Sequence, residues 1–469
     1  MIRGLVRYYR PAILYAAALF TVVALIVAAH VLTRPPAPPS IVLITVDSLR
    51  ADHLGLDGYR RQTSPRIDAL ARDGVVFERA FTVETLSGPS HASLFTGLYP
   101  VTHGVIYNGY RLSEEAVTLA ELLRSAGFRT AAYVSDSVLG RDFGFDQGFE
   151  RFELRQVRTH AKTPKLLNVA ARSFHLARHW LRAMRGEKFF LWLHCHQPHF
   201  SYNPIPPYDR KFDPEIPDSY PYRNYTKLRT ALEEGRLTPT DEARVTALYD
   251  GEIAFTDENL GMIFDELRQH PEPVVIVVTS DHGDLLFEPR DPKRVGHGGG
   301  HFYEGAMRVP LLIVPPAGFE TDVSRVQGLV SSIDVLPTIA EFARVEIPGK
   351  IEGRSLKGLL TGTESRGRDA VYAMYLKHDE RRTLALRTET HKLIHRAGPD
   401  TGELYDLDAD PGELHDLARE QPALLQRLTD RVRSWYDERP ERLPGAQRSL
   451  SPEVEALLRR GGYLDDDHE

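Results

Sequence analysis

Three stretches of the sequence set carboxylates and imidazoles directly behind apolar runs. ITVDSLRADH puts Asp47 after one run, LWLHCHQPH puts His194, His196 and His199 after another, and VVTSDHGD puts Asp281 and His282 after a third. A lone aspartate there would mean little, since aspartate also caps helices. Two anionic carboxylates and a neutral imidazole together match a divalent cation in charge and in oxygen and nitrogen donors. The plainer alternative is a hydrogen-bonded polar cluster. A nucleophile candidate lies in FTVETLSGPSHASLFTGLYPVTHG, where Ser87 precedes Gly88-Pro89 and a helix-like stretch from Ser90 to Phe95 closed by Gly97. Backbone N–H groups at a helix start favour an anion, and a nearby metal lowers the pKa of a bound hydroxyl, so Ser87 could act as an activated nucleophile. The alternative for Ser87 is a turn that caps the helix.

The elements that must position these groups follow from periodicity. Five short apolar runs, Ile41 to Val46, Thr130 to Val134, Phe189 to Leu193, Val274 to Val278 and Val309 to Val314, predict buried strands of a mainly parallel sheet. Stretches between them have helical spacing, as at Leu119, Leu122 and Leu123, or from Leu248 through Ile253, Leu260 and Ile263 to Leu267. The pattern is α/β with helices on both faces, and ligands of such sheets gather at the strands' carboxyl ends. After about Pro348 the texture changes to short strands (Val371 to Leu376, Thr383 to Arg387, His391 to Arg396) and an amphipathic helix near Leu424 to Tyr436, a smaller α+β lobe.

Composition removes several functions. The 469 residues include one cysteine, which rules out a disulfide scaffold and a cysteine-cluster zinc site. Four of the 58 basic residues and none of the 65 acidic ones fall within residues 1–39, which leaves 54 bases against 65 acids in the remainder. A body that acidic lacks the footprint for nucleic-acid binding. Ile13 to Leu32 is twenty residues without a formal charge, long enough to cross a hydrocarbon layer of ~30 Å. Three arginines precede it and one follows, which predicts a single-pass membrane anchor with a cytoplasmic amino terminus and an extracytoplasmic body, periplasmic in a Gram-negative cell. A cleaved signal peptide is the competing reading. The expected organisation is a cytoplasmic stub and anchor over 1–33, a proline-rich linker over 34–40, a catalytic domain over 41–348 and the small lobe over 349–469.

At these residues the sequence resembles the sulfatase family of the alkaline phosphatase superfamily. The resemblance runs through IVLITVDSLRADHLG, SGPSHASLFTGLYPVTHG, YDGEIAFTDENLG, TSDHGD, HFYEGAMRVPLLIV, HKLI and LYDLDADPGELHDL, in family order. It implies an alkaline-phosphatase-like sandwich with a mainly parallel central sheet, a smaller carboxyl-terminal lobe and one divalent metal beside the nucleophile. Asp47, Asp281 and His282 then stand as metal ligands, joined by Ser87 at the nucleophile position.

The departures bear on the chemistry. Ser48 stands where the family often pairs a second aspartate with Asp47, and His282 where calcium-binding members often have Asn. Imidazole in the shell suits Mn²⁺ or Zn²⁺ better than Ca²⁺, so all three stay open. Sulfatases mature a Cys or Ser within C/S-x-P/A-x-R into formylglycine, but His91 replaces that arginine. Formylglycine at Ser87 therefore stays open, and an unmodified Ser87 would follow the superfamily's phosphodiesterase, phosphatase or phosphotransferase route. The set Asp47, Ser87, Asp281 and His282 also looks like one metal half-site of the phosphodiesterase branch. Its second half would come from HCHQPH, where Gln197 replaces a frequent Asp.

The remaining residues carry expected roles. His91 and His199 would contact the oxygens of the substrate, and His301 would protonate the leaving alcohol, with His297 as a substrate-binding alternative. Of His194 and His196, one would face the site and the other the opposite side. The glycines of RVGHGGGHFYEG lack a Walker pattern and follow no strand, which predicts flexible backbone beside the site. Glu304 and Arg308 would form a structural i, i+4 pair, and Cys195 would be an inert core residue. The Pro- and Tyr-rich stretch Ser201 to Arg229 suggests a substrate-facing rim. The expected partner is a small or glycan sulfate or phosphate ester cleaved by in-line displacement. A non-catalytic anion or glycan receptor with the same fold is the second class.

Overall fold

A computed structural model of the chain describes residues 37–155, 164–287, 295–296, 298–376, 382–396, 401–440, 442–443 and 447–448, together with positions 15, 20 and 21. The expected membrane anchor otherwise lies outside the described residues. Among the described residues no helix is long and apolar enough to cross a membrane. Residues 39–469 form a compact unit of their own.

Its centre is β1 (Ser40–Val46), buried along its whole length. The other strands of its sheet are β2 (Val75–Phe81), β3 (Arg129–Val134), β4 (Arg151–Leu154), β5 (Phe189–Cys195), β6 (Val274–Thr279) and β7 (Arg308–Val314). Two short strands, Arg325–Val326 and Val330–Ser331, pair with β2. The order from one edge is Arg325–Val326, β2, β7, β6, β1, β5, β3, β4. Only β7 runs antiparallel to its neighbours, so the sheet is mixed and mainly parallel. Alternation along β1 divides the core: Ile41 and Leu43 pack on one face, Val42 and Ile44 on the other. The first face is covered by α1 (Ser87–Thr96), α2 (Leu119–Ser125) and α5 (Val335–Ala343), the second by α3 (Pro164–Ala183) and α4 (Pro239–Arg268). Thr238 and Asp241 cap α4 reciprocally and Pro239 opens it, so its start is fixed by sequence.

All five apolar runs are strands. β2 and β4 were not anticipated: Glu78 and Arg79 interrupt the apolar run of β2, and β4 is only four residues long at the sheet edge. The small lobe is an antiparallel sheet of β8 (Ala370–Leu376), β9 (Arg382–Thr388), β10 (His391–Arg396) and β11 (Thr401–Asp406), with α6 (Pro422–Asp437) packed on it. The glycine run does follow a strand: Val295–Gly296 pairs with Leu285–Leu286.

The register decides where chemistry can collect. Thr45 lies opposite His194 on one side and Thr279 on the other, and Val46 opposite Cys195. The three polar strand ends therefore leave the sheet at one level.

Candidate active site

Asp47 is the first residue past β1 and is fully buried. Its Oδ1 accepts from the Ser48 hydroxyl at 2.9 Å, while Oδ2 has no hydrogen-bond donor. Ser48 takes a left-handed backbone, φ 58°, and its N–H donates to Asp281 Oδ1 at 3.1 Å. Asp281 Oδ2 likewise lacks a hydrogen-bond donor. Burial and the neighbouring Asp281 and Asp136 push the Asp47 carboxyl well above the usual range. Burial would raise Asp281 too, but the imidazoles of His282, His91 and His194 hold it below the usual carboxylate range.

His282 completes the group. The carbonyl of Gly283 lies 2.8 Å from Nδ1 and accepts its proton, which turns Nε2 to within 3.4 Å of Asp281 Oδ2 and 3.4 Å of Ser87 Oγ. Fixing one ring nitrogen in this way orients the other as a ligand. Asp47, Asp281 and His282 each offer an atom within 4.8 Å of the others. Two buried carboxylate oxygens without donors beside an oriented imidazole are the donor set of a divalent cation, and these residues fit one.

Ser87 is the first residue of α1, not its cap. The cap is Leu86, which contributes no side-chain bond, and the serine hydroxyl points at His282. Asn108 Oδ1 accepts from the Gly88 N–H at 2.9 Å and anchors this helix start. One turn on, His91 donates from Nδ1 to the Ser87 carbonyl at 2.8 Å. Its Nε2 lies 3.2 Å from the Thr45 hydroxyl, which accepts from Trp192 Nε1 at 3.0 Å. Burial lowers the His91 pKa and favours the neutral ring that this chain of bonds needs. Both nitrogens of His91 are thus engaged, Nδ1 with the Ser87 carbonyl and Nε2 with Thr45, and Asp281 Oδ2 lies 3.7 Å from Nδ1.

The expectation that His194 and His196 face opposite ways is corrected. His194 Nε2 and His196 Nδ1 lie 3.8 and 3.9 Å from Asp47 Oδ2, because residues two apart along a strand share a face. His199 stacks on His196 with ring centroids 4.7 Å apart, and its Nδ1 donates to the Phe200 carbonyl at 2.6 Å. His301 is half-buried at the end of a loop whose Gly298 carbonyl accepts from Thr85, two residues before Ser87. Gly299 lies flat against the Tyr375 ring of β8, where an added Cβ would overlap the ring, so the small lobe forms the outer wall of this loop. His297 lies outside the described residues.

Glu304 and Arg308 do not pair with each other: Arg308 binds Asp57, while Glu304 meets Lys392 Nζ at 2.8 Å. Cys195 is buried, and burial pushes its thiol upward, consistent with an inert core residue. Within the expected substrate rim, Tyr202, Ile216 and Tyr220 pack into the core beside α4, and the Tyr202 hydroxyl donates to Asp284 at 2.6 Å. One residue of the cluster was missed. Asp136, buried just past β3, falls within 4.8 Å of Asp47 and His194 through one ligand atom each. It obeys the same rule as the others, a carboxylate behind an apolar strand.

Comparisons with known proteins identify the family of the chain. The family model described as Sulfatase matches residues 39–345, and that described as N-sulphoglucosamine sulphohydrolase, C-terminal, matches residues 299–437. The chain is 24% identical to an N-acetylglucosamine-6-O-sulfatase of Bacteroides thetaiotaomicron, over 86% of this chain and 88% of that protein. It is 28% identical to arylsulfatase K of Gallus gallus, over 86% and 83% of the two chains. Among solved structures, the phosphonate monoester hydrolase of Agrobacterium radiobacter shares the fold with a TM-score of 0.70 at 24% identity, over 85% of this chain and 96% of that one.

Proposed function

The chain belongs to the sulfatase family of the alkaline phosphatase superfamily, and from that membership we propose that it hydrolyses sulfate esters, with Ser87 as the attacking residue. The observation that carries this reading is the Ser87 hydroxyl at the start of α1, 3.4 Å from His282 Nε2 and beside the donorless oxygens of Asp47 and Asp281. Asp47, Asp281, His282 and Ser87 would hold a divalent cation, Ca²⁺, Mn²⁺ or Zn²⁺, which when bound offsets the repulsion between nucleophile and anionic ester. Ser87 attacks sulfur in line with the leaving alcohol, the bond from sulfur to the alcohol oxygen breaks as the bond to Ser87 Oγ forms, and water then displaces sulfate from the serine to restore it. His91 holds the Ser87 carbonyl, so that the helix start presents the hydroxyl at a fixed angle. His199 contacts a non-bridging oxygen of the ester, and His301 gives its proton to the departing alcohol.

A sulfated glycan is the substrate class best supported, since a relative named above is an N-acetylglucosamine-6-O-sulfatase and the carboxyl-terminal match is to the N-sulphoglucosamine sulphohydrolase model. The apolar stretch from Ile13 to Leu32 supports a membrane-anchored enzyme with an extracytoplasmic body. A second reading, a phosphate-ester hydrolase using unmodified Ser87, is favoured by His91 standing in place of the maturation arginine.

The test is turnover of aryl sulfate and aryl phosphate esters by the wild-type chain and Ser87→Ala, with peptide mass spectrometry of the Ser87 segment. Sulfate turnover lost at least 10³-fold in the variant is expected, on the scale of removing a nucleophile. Undiminished hydrolysis of both esters would remove Ser87 from the mechanism, and hydrolysis of phosphate alone would establish the second reading.

A further inference from the structure

The body of the chain segregates its charge. From Leu154 to Gly186 the sequence carries six arginines, two lysines and no acid, although acids outnumber bases after residue 39 by 65 to 54. The helix α3 makes up most of this stretch. Phe174, Ala177 and Leu181 bury one side of α3 beside the sheet and α4. Arg172, His175, His179 and Arg182, at i, i+3, i+7 and i+10, stand exposed on the other side. A basic helix of this kind is suited to a membrane surface.

The arginines are also held in order. Glu266 of α4, only 3% exposed, gathers three of them: Arg178 Nε and Arg182 Nε lie 3.2 and 2.8 Å from its Oε2, and Arg185 Nη2 lies 3.4 Å from its Oε1. One carboxylate among three guanidiniums leaves the group cationic, with Arg182 and Arg185 half-exposed. Such an array meets anionic oxygens without the cost of ordering free side chains. Of the neighbouring acids, Asp265 pairs with Arg268 at 3.2 Å and Glu272 accepts from the Gly186 N–H at 2.7 Å, while Glu187 lies beyond the last arginine.

The place of this face in the fold says what it meets. The turn after α3 leads into β5 at Phe189, whose N–H donates to the Ser40 hydroxyl at 3.1 Å. Ser40 begins β1, so the chain enters its body at the same end of the sheet as Arg182 and Arg185. Asp47 and its neighbours stand at the other end of β1 and β5, roughly 20 Å along the strands. Seven residues separate Ser40 from the apolar stretch that ends at Leu32. A chain spans at most ~3.6 Å per residue, so in an anchored protein Ser40 stays within about 30 Å of the hydrocarbon layer. A cationic face beside that tether complements the negative potential of anionic lipid.

We propose that the face of α3 carrying Arg172, Arg178, Arg182 and Arg185 docks on the anionic headgroups of a phospholipid bilayer, with the candidate active site turned away from it. The docking rests on the membrane-anchored reading under the proposed function and not on the reaction.

The experiment uses the full chain reconstituted with phosphatidylcholine vesicles, with or without phosphatidylglycerol. A fluorophore on His179→Cys reports contact with a lipid that carries a nitroxide on its headgroup, and buried Cys195 stays unlabelled. The chain is expected to float with both vesicles, and the label to be quenched only where phosphatidylglycerol is present. Quenching should vanish at about 1 M salt, where the screening length falls to ~3 Å. Arg172→Gln and Arg182→Gln should each lower the ratio of docked to undocked label about fivefold. Where Arg182→Gln fails to fold, Arg172→Gln, outside the Glu266 group, and the salt response of the chain with its arginines intact decide the question. Flotation with quenching that ignores lipid charge overturns the docking and leaves the anchor standing, whereas a chain that floats with neither vesicle removes both. Shielding of the label by dextran sulfate, without quenching by anionic lipid, assigns the face to sulfated polymers and likewise overturns the docking. Ester turnover is not read, so a failure of the proposed hydrolysis leaves the result unchanged.

Discussion

Ser48 shows how a small residue can govern two carboxylates. Its φ of 58° is costly for a non-glycine residue, and the conformation is what aims its N–H at Asp281 while its hydroxyl reaches Asp47. Ser48→Gly should keep the backbone and lose only the hydroxyl bond, whereas Ser48→Val, β-branched and without a donor, should lose about 2 to 3 kcal/mol. Urea unfolding of the two variants checks this, and equal stability would argue that the left-handed turn carries no strain. At this scale much of the site was legible from sequence. Asp47, Asp281, His282 and Ser87 each occupy a position that a simple rule singles out, the polar residue behind an apolar strand or ahead of a helix. Asp136 satisfies the same rule behind Tyr133-Val134 but escaped notice, because one aspartate after an ordinary strand is as often a cap, and here it is also a cap. The contact of His91 Nε2 was out of reach, since it depends on Thr45 and Trp192 from two strands distant in sequence.

Strand ends and helix starts hold the site together by close backbone approach. Gly283 follows His282, and a Cβ there would run into the carbonyl of Gly305, in the segment that leads into β7. Gly283→Ala must push that backbone away, so it should cost about 3 kcal/mol and displace the carbonyl that orients His282. Thermal unfolding and kcat together test it: a stability loss with unchanged kcat would mean that His282 does not need this support. The element boundaries followed chemistry that could be read in advance where runs were apolar throughout. They failed where a charged pair entered a buried strand, as Glu78-Arg79 does in β2. Those side chains reach the protein surface through pairings with Arg325 and Glu389, partners more than 200 residues distant.

Over the whole molecule, stability is tied to buried charge and to buried neutral histidine. Lys392 of β10 is fully buried, with Nζ 2.8 Å from both Glu304 and Glu413. Removing it in Lys392→Met leaves two acids facing each other and should cost about 3 to 5 kcal/mol, read as a lower unfolding temperature. Glu304→Gln in the same chain should restore part of the loss. His103 gives a pH dependence with a defined sign. Burial depresses its pKa to about 3, with Val105 N–H donating to Nδ1 and Ser93 Oγ 2.8 Å from Nε2. The unfolded chain takes up a proton below about pH 6.5, which the folded chain refuses until about pH 3. The contribution of His103 is therefore complete above pH 6.5 and is lost as pH falls towards 3. Denaturant titrations should show the wild type losing about 2 kcal/mol more than His103→Gln between pH 7.5 and pH 5. Equal losses would mean that His103 protonates without cost in the fold. The contact of Gly299 with the ring of Tyr375 bears on how such a protein can diversify. Neither partner can be exchanged alone, since a side chain on the loop meets the ring and a different ring leaves the loop without its wall. Chimeras that graft a small lobe from a relative should therefore carry its glycine loop with it, and new substrate preferences would be inherited as a matched pair of distant segments.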